Sequence, residues 1–225
     1  MEIRCDGCTS AEKICMGAKV KGTKSCPTLN SRKVLKEASA LYGAEAVKGF
    51  ARQAAIQEAE CYADRAKKPF VLHPVKPRLL ETIEFAERMG YRKLGLGFCI
   101  GMAREAAELA AILEMHDFEL VCVCCKVGGV PKEFLGLGEE EKILIGEYEP
   151  MCNPIAQALI LNEENTEFNI LMGLCVGHDS LFLQNVEGPT TVFAVKDRVT
   201  GHNPMAALYT AHSYYQRLKK TEFEF

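Results

Sequence analysis

Two short stretches carry the residue types best suited to chemistry. Gly97-Phe-Cys-Ile-Gly-Met102 and Gly173-Leu-Cys-Val-Gly-His-Asp-Ser180 both read glycine, apolar, cysteine, apolar, glycine. Each follows a short apolar run and precedes a helix-like pattern. Cys99 and Cys175 are therefore expected at equivalent strand-to-helix turns. Flanking glycines let the backbone bend and let another group approach closely. A thiol near a helix N-terminus feels partial positive charge, which favours thiolate.

Other thiols fall at matching places. Cys122, Cys124 and Cys125 close a second apolar run, where alternation puts the first two on one face and leaves Cys125 at the exit. Cys152 precedes Asn153-Pro154 at a helix start, and His178 follows Cys175 by three residues. Cys99, Cys125, Cys152 and Cys175, with His178, are expected to meet in one crevice. They would serve there as ligands of a second thiophilic metal or cluster, as reactive thiols, or simply as small packing residues. If catalysis occurs, Cys175 or Cys99 is the nucleophile or cluster ligand and His178 the acid–base group. Lys196, Arg198 and His202 lie beyond the last apolar run. They read either as contacts for a small anionic ligand or as a solvated turn with Asn203 as helix cap. Gly95-Leu-Gly-Phe-Cys-Ile-Gly101 has the look of a dinucleotide loop. However, its intervening residues are bulky, and the next strand ends in cysteines where an acidic ribose contact belongs, so NAD is not expected.

A further set sits at the start of the chain. Cys5, Cys8, Cys15 and Cys26 lie among Gly, Lys, Thr and Ser, and Ile3, Ile14, Val20 and Leu29 are too few for a core. Thiolate–metal bonds are the staple such a segment needs. Cys5-Asp-Gly-Cys8 lets both sulfurs reach one ion, with Gly7 permitting the tight turn. The other spacings are irregular, and Cys26-Pro27 echoes the end of a ferredoxin cluster motif. A 4Fe-4S iron–sulfur cluster is expected slightly ahead of Zn²⁺. Residues 1–36 hold eight Lys or Arg against three acids, which would offset the negative charge of such a centre; without stacking aromatics they do not read as a nucleic-acid surface.

The elements that must position these residues follow from periodicity. A first helix covers Arg32–Leu41, and a second follows Gly43 to about Ala66, with Cys61 on its apolar stripe as core packing. Pro69, Pro74 and Pro77 make a stiff connector, with His73 a loop residue. From Pro77 helix and strand alternate: helix Arg78–Met89, strand Lys93–Phe98, helix Met102–Met115, strand Phe118–Cys124. A loop over 126–150, with a short element at Lys142–Ile145, is long enough to read as a functional loop or lid. Helix Asn153–Leu161, strand Phe168–Gly173, helix His178–Leu183, strand Thr190–Val195, helix Pro204–Tyr215 and a charged tail over 219–225 complete the chain.

The expected fold is α/β: a four-stranded, mostly parallel, doubly wound sheet. It is preceded by a small Cys-rich metal-binding module over 1–30 and by a helical segment with its Pro-rich connector over 31–76. The α/β domain is 77–225. With strand order 2-1-3-4, the turns after the first and third strands border the switch-point crevice, and those turns carry Cys99 and Cys175.

Composition sets the outer limits. The chain has 225 residues, 48% of them hydrophobic, and a net charge of −3. That supports a sizeable core and argues against nucleic-acid binding by the whole surface. Eleven cysteines, an odd number, with no apolar leader and no run long enough to span a bilayer, predict a cytoplasmic protein without membrane attachment. Thiols stay reduced there, so cysteines in such number point to metal or redox chemistry.

Cys5…Cys8…Cys15…Cys26-Pro27, Gly97-Phe-Cys-Ile-Gly-Met-Ala-Arg-Glu-Ala106, Met172-Gly-Leu-Cys-Val-Gly-His-Asp-Ser-Leu-Phe182 and Val195-Lys-Asp-Arg198 with Gly201-His-Asn-Pro204 together resemble one family. It is the uncharacterised, cysteine-rich, predicted metal-binding proteins of bacteria and archaea. The resemblance spans nearly the whole chain and implies metal binding, with no reaction to carry over. Three functions are then expected. One is an iron–sulfur protein in redox or electron transfer, working with a redox partner protein. Another is a non-catalytic zinc protein, with a structural four-cysteine site on an α/β domain that binds a small ligand or a partner. The third is thiol chemistry without metal, for which a crevice cysteine should alkylate fast at neutral pH. Neither an enzymatic reaction nor an oligomeric state follows from the sequence.

Overall fold

The computed structural model describes residues 3–17 and 22–220; Val20 of the leader and residues 221–225 of the tail lie outside them. The chain divides into two units, one up to His73 and one from Pro74 onward.

In the first unit the leader is held by backbone bonds. The Arg4 amide donates to Ser25 O at 3.3 Å, and the Cys8 amide donates to Cys5 O at 3.2 Å. Three helices follow: α1 (Pro27–Asn30), α2 (Arg32–Leu41) and α3 (Glu45–Glu60). Helix α3 stops six residues short of the expected Ala66. Two residues at Tyr62–Ala63 turn extended, and Asp64 takes a positive φ of 58°, which an Asp tolerates but a helix does not. Cys61 is buried, as core packing requires, and its thiol donates to Gln57 O at 3.1 Å.

The second unit is an α/β sandwich around β1 (Lys93–Phe98), β2 (Glu119–Cys124), β3 (Phe168–Met172) and β4 (Thr190–Ala194). The order is β2-β1-β3-β4 and all three pairings are parallel. Helices α4 (Arg78–Met89) and α5 (Ala103–Met115) place Ile83, Ala86, Ala106, Leu109 and Leu113 against Leu94, Leu96 and Ile170. Helices α6 (Pro154–Glu163) and α7 (His178–Asn185) cover the other face with Ala158, Leu161 and Phe182 against Val123 and Leu171. Both faces are covered, so the sheet is doubly wound.

Glycines set how closely α6 and α7 approach β1. A Cβ on Gly97 would fall 2.7 Å from the Phe182 ring. Only a bare backbone lets that ring lie against the strand.

Two elements depart from expectation. The last helix, α8, covers only Met205–Tyr209 and gives way to turns before Tyr215. Tyr209 and Tyr214 are exposed there, so no apolar face holds a longer helix together. In the 126–150 loop the short elements are turns of 3-10 helix at Lys132–Leu135 and Glu139–Glu141, not at Lys142–Ile145. The Ile143 and Leu144 amides donate instead to the Glu149 carboxylate, at 2.8 and 3.1 Å.

Candidate functional site

Strand exits in a parallel sheet all open on the same edge, and here that edge is crowded with sulfur. The Cys125 amide donates to Phe98 O at 2.8 Å, and the Ile100 amide donates to Cys125 Sγ at 3.3 Å. Residues 98 and 100 flank Cys99, so β1 and β2 deliver Cys99 and Cys125 side by side. The Asn153 amide donates to Cys125 O at 2.8 Å, which brings Cys152 to the same place. Asn153 then caps α6 by accepting from the Ala156 amide at 3.1 Å, with Pro154 in the first turn, a pairing that suits a helix start.

The side chains complete the grouping. Cys125 lies between the other two: its sulfur accepts from the Ile100 amide next to Cys99, and its carbonyl accepts from the Asn153 amide next to Cys152. Cys99 is held down to about 5, first by Cys125, then against burial by the Gly101 amide and by Lys196. Cys152 is held at about 6, first by Cys125, then against burial by the charges of Lys126 and His178. Cys125 is pushed well up by its bonds to Cys152 and Cys99 and by burial. One S–H carries one proton and can bridge to only one neighbour at a time. The other thiolate then leans on its lysine, Lys196 for Cys99 and Lys126 for Cys152.

Cys175 sits beyond β3, where its carbonyl accepts from the His178 amide at 3.0 Å. Its sulfur accepts from Arg198 Nη2 at 3.1 Å. The Arg198 pKa is raised first by that bond, with Cys99 and Cys152 adding to it. The guanidinium therefore serves the whole group.

Lys196 and Arg198 are aimed by a self-tied turn. The Asp197 carboxylate accepts from the Val199 and Thr200 amides at 3.0 and 2.9 Å. His202, at a positive φ of 64°, returns its Nδ1 to accept from the Asp197 amide at 3.2 Å. Its ring is thus committed to the turn, while Lys196 and Arg198 reach the sulfurs. Gly101 makes room for the first of them: a Cβ there would lie 3.0 Å from Lys196 Nζ.

Two contributors were not singled out by their spacing. Lys126 follows Cys125 directly; its ammonium donates to Pro150 O at 2.6 Å, two residues before Cys152, and its charge helps lower the Cys152 thiol. Gln157 is fully buried on α6 and donates to Phe98 O at 3.1 Å and Val123 O at 2.7 Å, locking the ends of β1 and β2. The signal for Gln157 was one polar residue inside the apolar run Pro154-Ile-Ala-Gln-Ala-Leu-Ile160.

The remaining thiols stand apart. Cys122 is exposed and Cys124 half-buried, accepting from the Lys126 amide at 3.4 Å. In the leader Cys5 and Cys15 are exposed, Cys8 and Cys26 half-buried. Among the described residues no cysteine is in a disulfide, and no three His, Cys, Asp or Glu side chains are gathered in a metal-holding arrangement. No helix among them is long and apolar enough to cross a membrane.

Fold and site together define a doubly wound α/β protein with cationic side chains around a strand-end thiol cluster. The chain belongs to the family described as "Protein of unknown function (DUF1847)", whose model matches residues 26–193. That span contains Cys99, Cys125, Cys152 and Cys175 and begins after Cys5, Cys8 and Cys15. The chain is also 53% identical over 145 residues to "Uncharacterized protein MJ0455" of Methanocaldococcus jannaschii, a match covering 64% of this chain and 71% of that protein. No solved structure matches it.

Proposed function

We propose that this chain is a thiol-dependent redox protein whose working site is Cys99, Cys125 and Cys152. The observation that carries the reading is the place of Cys125 between the other two: its sulfur accepts from the Ile100 amide next to Cys99 at 3.3 Å and its carbonyl from the Asn153 amide next to Cys152 at 2.8 Å, while Cys99 and Cys152 are both held low. This keeps nucleophilic thiolate available near neutral pH beside a protonated thiol that can resolve a mixed disulfide. Two electrons are then exchanged by making and breaking one S–S bond, with a small disulfide or a redox partner protein at the other end. Brief alkylation of the reduced full-length chain between about pH 6 and 7, followed by peptide mapping, tests this. Cys152 is expected to label ahead of Cys122, although Cys122 is the more exposed. Faster labelling of Cys122, Cys5 and Cys15 sinks the reading.

A metal-bearing form is the second reading, with an iron–sulfur cluster slightly ahead of Zn²⁺ at Cys5, Cys8, Cys15 and Cys26. Its support is the Cys5–Cys8 turn and the bond from the Arg4 amide to Ser25 O at 3.3 Å, which sets Cys5 near Cys26 along the backbone. A metal there would gather its own ligands as it bound. Anaerobic purification with iron, sulfide and zinc analysis separates the forms: brown protein with acid-labile sulfide for the cluster, colourless protein with zinc for a structural site. Metal that persists when all four leader cysteines become serine would assign the strand-end thiols to a second centre and overturn the redox-thiol reading.

A further inference from the structure

The strand-end sulfurs are not equivalent, and their differences define an order of events. Cys125 is 1% exposed and Cys99 7%, whereas Cys152 is only half-buried. A dissolved reagent therefore meets Cys152 first. Behind it stands Cys125, with the residue after Cys152 bonded to its carbonyl and the residue after Cys99 bonded to its sulfur. The backbones of Cys125 and Cys152 are already adjacent, through the Asn153 amide on Cys125 O at 2.8 Å, so a disulfide between them is within reach without rearranging strands. Cys175 is accessible as well, but the partner shown for its sulfur is a guanidinium, which cannot resolve a mixed disulfide.

Resting on the redox-thiol reading above, we propose that Cys152 attacks a low-molecular-weight disulfide bearing carboxylates, that Cys125 resolves the mixed disulfide, and that Cys99 takes the Cys125 proton. In the first step the Cys152 thiolate forms an S–S bond with one sulfur of the substrate and expels the other as a thiolate. In the second, with Cys152 neutral in the mixed disulfide and no longer raising Cys125, Cys125 passes its proton to the Cys99 thiolate as it attacks Cys152 Sγ, expelling the second substrate thiolate. The substrate gains two electrons and becomes two thiolates. The protein loses two and holds a Cys125–Cys152 disulfide. The carboxylates are assigned from the surroundings: Lys126 beside Cys152, Lys196 beside Cys99, and Arg198 on Cys175 all present positive charge at the same edge.

The product has a structural consequence. Cys125 and Cys152 are the two ends of the excursion over 126–151. That excursion is already pinned by Lys132 Nζ on the Glu149 carboxylate at 2.6 Å and by the antiparallel bridge between Pro131 and Pro150. It exposes Phe134, Ile143 and Ile145. Oxidation would close its base with a covalent bond, so the redox state of the pair is written into the loop that displays those side chains.

The test uses the reduced full-length chain, glutathione disulfide as the anionic probe and cystamine as a cationic one. Wild type should end with a Cys125–Cys152 disulfide and no retained glutathione. Cys125→Ser should trap glutathione on Cys152, Cys152→Ser should abolish the fast reaction, and Cys99→Ser should slow resolution about 100-fold or more while giving the same disulfide. Glutathione disulfide should outpace cystamine. A wild-type product with a Cys99–Cys125 disulfide, or glutathione found on Cys175, overturns the order of events; cystamine reacting faster overturns the choice of substrate. These outcomes differ from failure of the redox-thiol reading itself, in which no strand-end thiol reacts ahead of Cys122. Peptide mapping of wild type needs no variant, so a misfolded mutant does not rescue the proposal.

Discussion

Replacing Cys125 by alanine removes the largest influence that holds Cys152 at about 6, against an ordinary value of 9.0. The naive expectation is a collapse in reactivity at neutral pH, and arithmetic shows otherwise. At pH 7 a thiol titrating at about 6 is ~0.9 thiolate, and one in the ordinary thiol range is ~0.01. That is a loss of ~90-fold in the reactive form. A more basic thiolate is the better nucleophile, however. With a Brønsted slope of about 0.4–0.5 over about three units, ~16- to 30-fold is regained. Even a complete return to the ordinary value would slow the reaction at pH 7 only ~3- to 6-fold. The pH midpoint is therefore the decisive readout, not the rate at one pH. Alkylation of Cys152 by iodoacetamide should be followed by peptide mass across the pH range. Lys126 and His178 remain in the variant, so a rise of at least about one unit is expected, not the full three. Cys125→Ser keeps an O–H donor and should keep the midpoint low. Losing one buried sulfur should cost about 1 kcal/mol, so the variant stays folded. A midpoint that does not move in the alanine variant, or a wild type that titrates like an ordinary thiol, refutes the reasoning.

Other consequences are open to measurement. Gly101→Ala puts a methyl 3.0 Å from Lys196 Nζ; the ammonium sits on a flexible stem, so stability should hardly change while the Cys99 alkylation midpoint rises. Gly173→Ala is different: φ is +70° and a Cβ would lie 2.0 Å from Met102 Sδ, so urea denaturation should show a loss of about 2–4 kcal/mol. Glu149 is held at about 2, first by Lys132, with the Leu144 and Ile143 amides also lowering it against burial, below its ordinary 4.5. Its contribution is therefore full above about 4.5 and fades as the pH falls through about 2. Hydrogen exchange at the Ile143 and Leu144 amides should lose protection in that window, and Lys132→Met should move the loss to higher pH. Cys99 is held at about 5, below 9.0, so its contribution to stability is complete above about 9 and lost on descent through about 5. Urea midpoints across that window should slope upward with pH in wild type and less so in Cys125→Ala.

Much of the architecture was legible from the residues alone. Alternating apolar runs and helical stripes from Pro77 onward demanded covered parallel strands; short right-handed connections allow several strand orders, and the structure has β2-β1-β3-β4. The same reasoning placed Cys99, Cys125, Cys152 and Cys175 at strand exits or the helix start beside them. Periodicity reports which face a residue shows, and on a parallel sheet it also reports which end of the strand a turn occupies. It fails where nothing is periodic. α3 ends at Glu60 because the chain turns extended at Tyr62–Ala63, and the shortness of α8 depends on tyrosines that find nothing to cover them.

The sequence by itself determined that sulfur would gather at one edge of a twisted sheet. It could not decide which sulfurs touch, nor which stays protonated. Those outcomes rest on bonds between residues far apart in the chain: the Ile100 amide on Cys125 Sγ, Cys125 O under the Asn153 amide, Arg198 on Cys175. A thiol's charge is set by the donors and cations within a few ångströms of it, and only the folded chain puts Lys126, Lys196 and the shared thiol of Cys125 at that distance.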